Sequence, residues 1–434
     1  MVEYENYKRC TQIFGESFPS HWEIKPIYGI AHEKKISDCT DLKLLSVYLD
    51  LGVIPFSQKV EKRTNVTSLD LSKYQRVDPG DFVLNNQQAW RGSVGVSRYT
   101  GIVSPAYIVL ELDGSNNSDF MNYMLRSHTM VDQYVINSKS VGSIQRNIHW
   151  ISIKRTYVPI PPRAEQDQIV RFLDWKVSEI NKLIGIRKKE IQELEGLKKV
   201  IVHKAITGKN CDTATRDTSI EWIGAIPAEW EIRHVKNVAI ITNGSDPKTE
   251  GNIPVYGSGD GSFKTCGEYK EGPAVLIGRK GATLHIPHYV EGKYWNVDTA
   301  FDVHMKDDND LRWFYYLAQC FDYQFYISQT TLPSMTQTDY NNMPIPVPSV
   351  PVQHEIASYL DRENLKIDKA IDLTERKIDA LTEMKNTLIS DVVTGKIDVR
   401  NVTIPEYEHV DDIYDDNNED SEETDETETN GEEA

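Results

Sequence analysis

The sequence predicts a mixed α/β protein in which one plan, a globular module followed by a long amphipathic helix, occurs twice along the chain. Three observations support this prediction: an internal repeat, an apolar stripe in each helical copy of it, and short strand-like runs between the copies. The 434 residues, 39% of them hydrophobic and 26% charged, suffice for two or three domains with cores of their own.

The repeat is clearest in the two helical segments. PIPPRAEQDQIVRFLD, beginning at Pro159, corresponds to PVPSVPVQHEIASYLD, beginning at Pro346, and 13 of the 45 positions from 165 to 209 are identical at an offset of 187 residues. A second pair, FPSHWEI from Phe18 and IPAEWEI from Ile226, precedes the modules at an offset of 208. Because the modules between these motifs differ in length, the helices are retained while the globular parts have diverged.

Both helical segments carry a narrow apolar stripe typical of a coiled-coil seam. The predicted seam residues are Leu173, Ile180, Ile184, Ile191 and Leu194 in the first helix and Leu360, Ile367, Ile371, Ile378 and Leu381 in the second. Prolines at 159–162 and 344–351 are expected to precede the helices, and Gly208 and Gly395 to follow them. Each helix would be about 65 Å long at about 1.5 Å per residue. The two can pair antiparallel, with the modules at opposite ends about a pseudo-twofold axis.

The globular modules read as short strands and turns, each with one helical stretch, near Phe120–Val135 and Leu311–Tyr326. We therefore expect two compact α/β modules. The predicted divisions are an N-terminal segment (1–18), a first module (19–158), a first helix (159–209), a linker (210–226), a second module (227–345), a second helix (346–396) and an acidic disordered tail (397–434).

The formal net charge of -18 at first argues against a nucleic-acid partner. However, the stretch from Asp411 to Ala434 contains 13 acidic residues and no Lys or Arg, which leaves a charge of -5 on the rest of the chain. Composition predicts a solvated tail there, with competition for a DNA-binding groove as the alternative. No apolar run approaches a membrane span, and the N-terminus does not resemble a signal peptide, so we expect a cytoplasmic protein without membrane contact.

The sequence contains no recognisable catalytic or metal-binding motif. GSGDGS at Gly257 lacks the final glycine of a dinucleotide fingerprint, and GRKGAT at Gly278 lacks the spacing of a P-loop. The five cysteines form no CxxC pair. We therefore expect no catalytic residue, no metal site and no cofactor in this chain.

The loops of both modules are rich in hydrogen-bond donors, which suits DNA because Asn and Gln match adenine edges, Arg matches guanine, and hydroxyls and cations reach phosphate. The candidate DNA-binding residues are Asn85, Asn86, Gln87, Gln88, Trp90, Arg91 and Arg98 in the first module and Ser258, Arg279, Lys280, Thr283, Thr331, Ser334 and Gln337 in the second. For any one of them the alternative is a solvated loop or turn residue.

The duplicated helical blocks, the PSHWEI and PAEWEI motifs, and the stretches VLIGRKGATLHIPHYVEGKYWNVDTAF and GSVGVSRYTGIVSPAYIVL together resemble the specificity subunit (S, HsdS) of type I restriction-modification systems. The resemblance covers nearly the whole chain except its acidic end. It implies two target-recognition domains that each read one half of a split site in double-stranded DNA, and helices that set the gap between the halves.

The resemblance also implies that the chemistry lies in partners. Two methyltransferase subunits would supply S-adenosylmethionine and methylate adenine, and restriction/translocase subunits would use ATP and Mg²⁺. The repeated helix positions Gln166, Asp174, Lys182 and Lys198 are candidate contacts for the methyltransferase subunits. For the two lysines the alternative is a solvated helix face.

Two other classes of function stay open at this point. A coiled-coil adaptor or structural protein whose modules bind non-DNA ligands would neither retain DNA nor need a methyltransferase. An enzyme active in its own modules would show activity as the purified chain, and the missing motifs disfavour it.

Overall fold

The computed structural model describes residues 2–49, 51–58, 70–141, 145–210, 213–259, 261–328 and 333–411. The chain forms two compact units, one made of Met1–Arg187 with Lys377–Ala434 and the other of Lys188–Arg376. Each unit thus contains one globular module, part of the first long helix and part of the second. The predicted division into seven segments stays a prediction.

Unit 1 holds fourteen strands and three short α-helices among its described residues. The strands are β1 (Tyr7–Cys10), β2 (Glu16–Pro19), β3 (Glu23–Pro26), β4 (Ala31–Glu33), β5 (Leu45–Tyr48), β6 (Gly52–Pro55), β7 (Gln75–Val77), β8 (Asp81–Asn85), β9 (Val94–Val96), β10 (Gly101–Val103), β11 (Tyr107–Leu112), β12 (Lys139–Val141), β13 (Gln145–Asn147) and β14 (Tyr157–Ile160). The helices are α1 (Ser118–Leu125), α2 (His128–Asn137) and α3 (Trp150–Ile153), with 3-10 turns at Ile27–Gly29, Phe56–Gln58 and Ala89–Arg91.

Unit 2 holds twelve strands and four short α-helices in the part of it that the structure describes. The strands are β15 (Thr215–Asp217), β16 (Ala225–Pro227), β17 (Glu231–His234), β18 (Ala239–Asn243), β19 (Ile253–Tyr256), β20 (Ser262–Cys266), β21 (Lys270–Glu271), β22 (Ala274–Gly278), β23 (His288–Val290), β24 (Lys293–Asn296), β25 (Ala300–Met305) and β26 (Pro344–Val347). The short helices, numbered after the first long helix α4, are α5 (Val235–Val238), α6 (Leu311–Ala318), α7 (Tyr323–Tyr326) and α8 (Gln337–Asn342).

The two modules share one sheet topology. Unit 1 has an antiparallel four-stranded sheet in the order β4-β11-β8-β9, and unit 2 has one in the order β18-β25-β22-β23. Along the chain, the strands of the unit 1 sheet come in the sequence β4, β8, β9, β11, and those of the unit 2 sheet in the sequence β18, β22, β23, β25. Equivalent strands therefore occupy equivalent places in the two sheets. Unit 2 adds a second four-stranded sheet, β20-β19-β24-β21, in which β19 and β24 are parallel. The duplication therefore extends into the sheets of the modules, where the sequence alone had indicated only a corresponding helical stretch.

The two long helices are α4 (Arg163–Ile206) and α9 (Val350–Val393). Gly208 and Gly395 follow them with φ of +70° and +75°, so the predicted helix ends are confirmed. The prediction that residues 344–351 precede the second helix is wrong for its last two residues, because Pro351 lies in the first turn of α9. There a proline is tolerated, since its missing N–H would have no partner within the helix.

Within each unit the start of one long helix packs against the end of the other. In unit 1, Leu173 near the start of α4 shares a core with Val392 near the end of α9. In unit 2, Ile206 at the end of α4 shares a core with Leu360 near the start of α9. The helix segments therefore run antiparallel in both units.

The predicted seam residues lie at this helix contact or beside it. Five of them are buried, at 6% exposure or less: Leu173, Ile180, Ile184, Leu360 and Ile367. The other five are half-buried: Ile191, Leu194, Ile371, Ile378 and Leu381. The buried seam residues thus lie in the first half of each helix, from Leu173 to Ile184 and from Leu360 to Ile367.

The glycine after each long helix packs against the repeated proline-tryptophan motif. A Cβ added at Gly395 would lie 2.4 Å from Cδ of Pro19 and 3.1 Å from Trp22, and one added at Gly208 would lie 2.4 Å from Cδ of Pro227 and 3.0 Å from Trp230. The end of α9 thus closes onto the first module, and the end of α4 onto the second. This contact explains why both the glycine after the helix and the proline-tryptophan motif are repeated, although the two are far apart in the sequence.

The prediction of a disordered tail from residue 397 is wrong for residues 397–411, which lie along the start of α4. Val399 is fully buried in the core of unit 1. Gln168 Nε2 donates hydrogen bonds to the carbonyls of Val399 and Val402 at 3.0 and 2.8 Å. The valines and isoleucines that precede the acidic stretch supply the apolar surface for this packing. The remainder of the predicted tail, 412–434, lies outside the described residues.

Candidate nucleic-acid interface

Six of the seven candidates in the first module lie on one turn, which joins β8 to β9. Asn85 Oδ1 accepts from the N–H of Gln87 at 3.1 Å, and Trp90 Nε1 donates to the Gln87 carbonyl at 2.7 Å. The Arg91 guanidinium lies 4.8 Å above the Trp90 ring, and Arg91 is exposed. Asn85 and Trp90 therefore shape the turn, while Arg91 projects from it as a stacked cation.

Asn86 and Gln88 complete this turn, and both are half-buried. The Oδ1 atom of Asn86 is buried and accepts no hydrogen bond within the part of the chain that the structure describes. Asn86 also lines a surface cleft of about 410 Å³ together with Lys35, Lys73, His149 and Trp150. Sequence reasoning missed the two lysines and the tryptophan, because they stand far from Asn86 along the chain.

Arg98 lies apart from that turn, after β9. Its guanidinium donates to Asp119 at 2.8 Å, and its side chain is 72% exposed. The hydrogen bond that Arg98 donates to Asp119 and the negative charge of that carboxylate raise the pKa of Arg98. Arg98 is thus a cation held at the surface by a carboxylate.

In the second module, Arg279, Lys280 and Thr283 lie on the loop that joins β22 to β23, and Ser258 packs against it. Thr283 Oγ1 donates to the Ser258 carbonyl at 2.7 Å, and the Ser258 hydroxyl donates to the Lys280 carbonyl. The structure therefore brings four residues together that are up to 25 positions apart in the sequence.

The two cations of this loop face one carboxylate. Arg279 Nη1 donates to the Asp298 carbonyl at 3.2 Å and lies 3.9 Å from its carboxylate, while Lys280 Nζ lies 4.0 Å from the same carboxylate. Asp298 and Ser258 also line a cleft of about 410 Å³ beside Phe263 and Lys264. Phe263 is 60% exposed, and Lys264 lies 5.3 Å above its ring. This aromatic-cation pair is a second feature that sequence reasoning missed.

The last three candidates differ in their surroundings. Ser334 pairs with Lys280 through a β-bridge, which adds it to the same loop cluster. Gln337 Nε2 donates to the Ile241 carbonyl at 2.5 Å, so one N–H of its amide is used within the module. Thr331 lies outside the described residues.

The two loop clusters occupy the same place in the shared topology. The β8–β9 turn and the β22–β23 loop both join the third strand of the sheet order to the fourth. The first carries amides and a stacked arginine, and the second carries hydroxyls and two cations beside an aspartate. One position of the fold thus presents a different set of donors in each unit.

The helix residue Gln166 is a joint between helix and module, and so is its repeat partner Gln353. Gln166 Oε1 accepts from the N–H of Asn117 at 2.8 Å, and its Nε2 donates to Asn116 Oδ1 at 3.0 Å and to the Pro161 carbonyl at 2.9 Å. Gln166 is 1% exposed. Its prediction as a methyltransferase contact is therefore wrong, because its polar atoms are buried within unit 1.

Asp174 and its repeat partner Asp361 form a second joint. Tyr123 donates to Asp174 at 3.0 Å, and Tyr316 donates to Asp361 at 2.5 Å. Burial raises the pKa of Asp174, although the hydrogen bond from Tyr123 opposes that shift. Each module is thus fixed to the start of its long helix by one amide and one carboxylate.

The comparisons with known proteins agree with the internal repeat. The sequence model described as the type I restriction modification DNA specificity domain matches residues 19–195 and 227–383, so both matches begin at the proline of the repeated motif. Together they cover more than half of the chain. The chain belongs to this family. It is a type I restriction-modification specificity subunit, and its function is DNA target recognition.

Relatives of this specificity subunit share its length. The chain is similar to the type I restriction enzyme MjaVIII specificity subunit of Methanocaldococcus jannaschii, at 22% identity over 92% of this chain and 97% of the relative. It is also similar to the putative type I restriction enzyme MjaX specificity subunit of that organism, at 23% identity over 91% of this chain and 97% of the relative.

A solved chain from work on complex assembly and conformational transition of the type I R-M system shares the fold. It superposes on the specificity subunit with a TM-score of 0.63 and 16% identity, covering 88% of this chain and 99% of that one. The predicted fold class, two globular modules with two long coiled-coil helices, is therefore confirmed.

Among the described residues, no group of three or more His, Cys, Asp or Glu side chains is placed to hold a metal ion. Among the same residues, neither long helix of the specificity subunit nor any other helix has the length and apolar character needed to cross a membrane.

Proposed function

We propose that the chain is a non-catalytic reader of a split DNA site, in which each module recognises one half through the loop between the third and fourth strands of its sheet. The observation that carries this proposal is the equivalence of the β8–β9 and β22–β23 loops, which occupy one place in the fold and present different donors. A split site with unlike halves requires such an arrangement.

The constant parts of the two units support the same proposal. Gln166 and Gln353 have equivalent partners in the two units. Each side chain accepts a hydrogen bond from the N–H of the residue that caps a short module helix, α1 or α6, and each donates to a proline carbonyl. Rigid joints hold each loop in a fixed orientation relative to its helix. The helices can then set the gap between the half-sites, as the resemblance implies.

The charges of the loops indicate how DNA is bound. Arg98 faces Asp119, and Arg279 and Lys280 face Asp298. A phosphate or a guanine edge can replace these carboxylates as the acceptor, since charge-assisted pairs of this kind contribute little at an exposed surface. The carboxylates would thereby reduce binding to unrelated DNA in a chain that is acidic overall.

The catalytic steps belong to partner subunits in this proposal. Two methyltransferase subunits bring S-adenosylmethionine and methylate adenine in each half-site, and restriction/translocase subunits use ATP and Mg²⁺ in the cytoplasm. The long helices carry exposed apolar side chains that fit a protein partner: Leu183 and Ile186 in unit 1, and Leu197, Val200, Leu365 and Leu373 in unit 2, each between 45% and 55% exposed.

The experiment is to co-express the chain with its neighbouring methyltransferase and to map modified adenines across a genome. We expect one split motif methylated in both halves. Replacing residues 19–158 by the module of another specificity subunit should change one half only. Methylation by the purified chain alone, or DNA binding that ignores both halves, would overturn the proposal in favour of an enzyme or an adaptor.

A further inference from the structure

The C-terminal segment that lies on α4 has two parts, which are held differently. The first part, 397–402, is the root. Its Val399 is fully buried, and it receives both hydrogen bonds of Gln168. Asp398 also pairs with Val2 at the N-terminus, where its N–H donates to the Val2 carbonyl at 2.8 Å. The root is therefore part of the core of unit 1.

The second part, 403–411, is the flap, and its contacts are longer. The Val410 N–H donates to Ser178 Oγ at 3.3 Å, and Asn181 Nδ2 donates to the Val410 carbonyl at 3.1 Å. Lys182 and Glu408 form a 3.7 Å pair in which both side chains are more than half exposed. Such an exposed pair contributes little to stability.

Ile404 near the start of the flap packs against the core of unit 1, but the helix surface beneath the end of the flap is polar. Ser178 is 1% exposed and Asn181 is 2% exposed. When the flap leaves, water can replace the hydrogen bonds of a hydroxyl and an amide, so these two side chains oppose its removal only weakly. A leucine or isoleucine beneath the flap would instead be exposed to water at a cost.

The corresponding surface of α9 in unit 2 is exposed and has a leucine in place of the serine. At the repeat offset of 187, Ser178 corresponds to Leu365, which is 55% exposed, and Asn181 corresponds to Asp368, which is exposed. The exposed Leu183 and Ile186 follow the flap site on α4 within two turns. A partner that reached both of them would meet the end of the flap at Val410.

We infer that the flap is a removable cover that makes the two partner surfaces unequal. A methyltransferase subunit binds the open α9 surface of unit 2 first, and a second one must displace residues 403–411 to bind α4 in unit 1. This inference rests on the proposed function, because it assumes that methyltransferase subunits bind the long helices.

The test is a titration of the full chain with the methyltransferase subunit, followed by mass photometry, which counts the one-partner and two-partner complexes. Two truncated chains form a matched pair: one ends at Val402 and lacks the flap, and the other ends at Asp411 and retains it. We expect two unequal binding steps in the full chain and in the chain ending at Asp411. Removal of the flap should tighten the second step about tenfold, the factor that a few weak hydrogen bonds provide.

A reciprocal exchange tests the same inference without truncation. Ser178→Leu, which pushes the flap away and copies the α9 surface, should tighten the second step. Leu365→Ser should weaken the first step by about tenfold, because it removes a leucine from the interface. Hydrogen exchange at the root would confirm that unit 1 stays folded in each variant.

The outcomes distinguish failure of the flap inference from failure of the proposed function. Equal binding steps in the full chain, or a second step that flap removal weakens or leaves unchanged, would overturn the flap inference while the proposed function stands. If no methyltransferase subunit binds the full chain, both the proposed function and the inference fail.

Discussion

The side-chain carbonyl of Gln166 accepts a hydrogen bond from the backbone N–H of Asn117, at 2.8 Å. This bond connects α4 to the residue that caps α1, since Asn117 Oδ1 in turn accepts from the N–H groups of Asp119 and Phe120. In unit 2, Gln353 accepts from the N–H of Asp310 at 2.9 Å, and Asp310 caps α6. The joint between module and helix is therefore the same hydrogen-bond network built twice.

Gln166→Leu should destabilise unit 1. The leucine leaves the part-buried Asn117 N–H and the buried Pro161 carbonyl without their partner, and the buried carbonyl alone costs about 1–3 kcal/mol. Hydrogen exchange should show faster opening of α1 and the start of α4, and the midpoint of chemical unfolding should fall. The control is Gln192→Leu at an exposed position of α4, which should change neither quantity. Equal behaviour of the two variants would remove the role assigned to the joint.

Gly208→Ala should lower the free energy of unfolding, whereas Gly196→Ala should raise it. Gly208 has a φ of +70°, and an added Cβ would lie 2.4 Å from Pro227, so alanine there causes strain and a clash. Gly196 lies inside α4 with open space around it, where alanine favours the helix by about 1 kcal/mol. Urea denaturation of both variants measures the difference. A stabilising Gly208→Ala would contradict the close packing of the helix end on the second module.

Arg279→Ala should alter recognition of one half-site only. If Arg279 reads a guanine edge, its loss reduces discrimination at that base pair by about 1–3 kcal/mol. Lys280→Ala should instead weaken binding to all sequences and lower the salt dependence. Competition binding with DNA altered in either half distinguishes these outcomes. Arg233→Ala is the control, because that arginine pairs with Glu231 on β17, away from the loop cluster. Loss of discrimination in both halves would contradict the assignment of one module to each half.

Ile180→Asp should disrupt assembly of the methylating complex while the second module stays folded. Ile180 is 4% exposed at the helix contact of unit 1, so a carboxylate there is buried without a partner charge. The readouts are co-purification with the methyltransferase and methylation of the split site. Gln192→Asp, at an exposed position of α4 outside the proposed partner surface, is the control for charge alone. Should Ile180→Asp still methylate the same split site, the helix pair does not set the spacing.

The sequence was enough to predict the helices, because their signals are local and periodic. The apolar stripe of α4 repeats every three or four residues, and Gly208 and Gly395 end the two helices within a residue or two of the predicted place. The duplicated PxxW motifs were also visible, although their partners were not. Only the fold shows that Trp22 packs against Gly395 and Trp230 against Gly208.

The candidate site could be predicted only in part. Arg279 and Lys280 stood out because they lie on a glycine-bounded loop, and Arg91 because it follows a cluster of amides. Lys35, Lys73 and Lys264 carry no such local signal, since their position beside the loops depends on strand pairing. The hydrogen bond from the Gln337 amide to the Ile241 carbonyl likewise depends on the fold and carries no local signal.

By itself, the sequence determined that two modules are each followed by a long helix, because periodicity and repetition are properties of the chain alone. The tertiary structure decided which residues of that plan meet. It showed that the two candidate loops occupy equivalent places in two sheets of the same topology. It also showed that Gln166 is a buried joint and that residues 397–411 lie on α4. These contacts join residues distant in sequence, and their energy comes from burial and hydrogen bonds that exist only after the chain has folded.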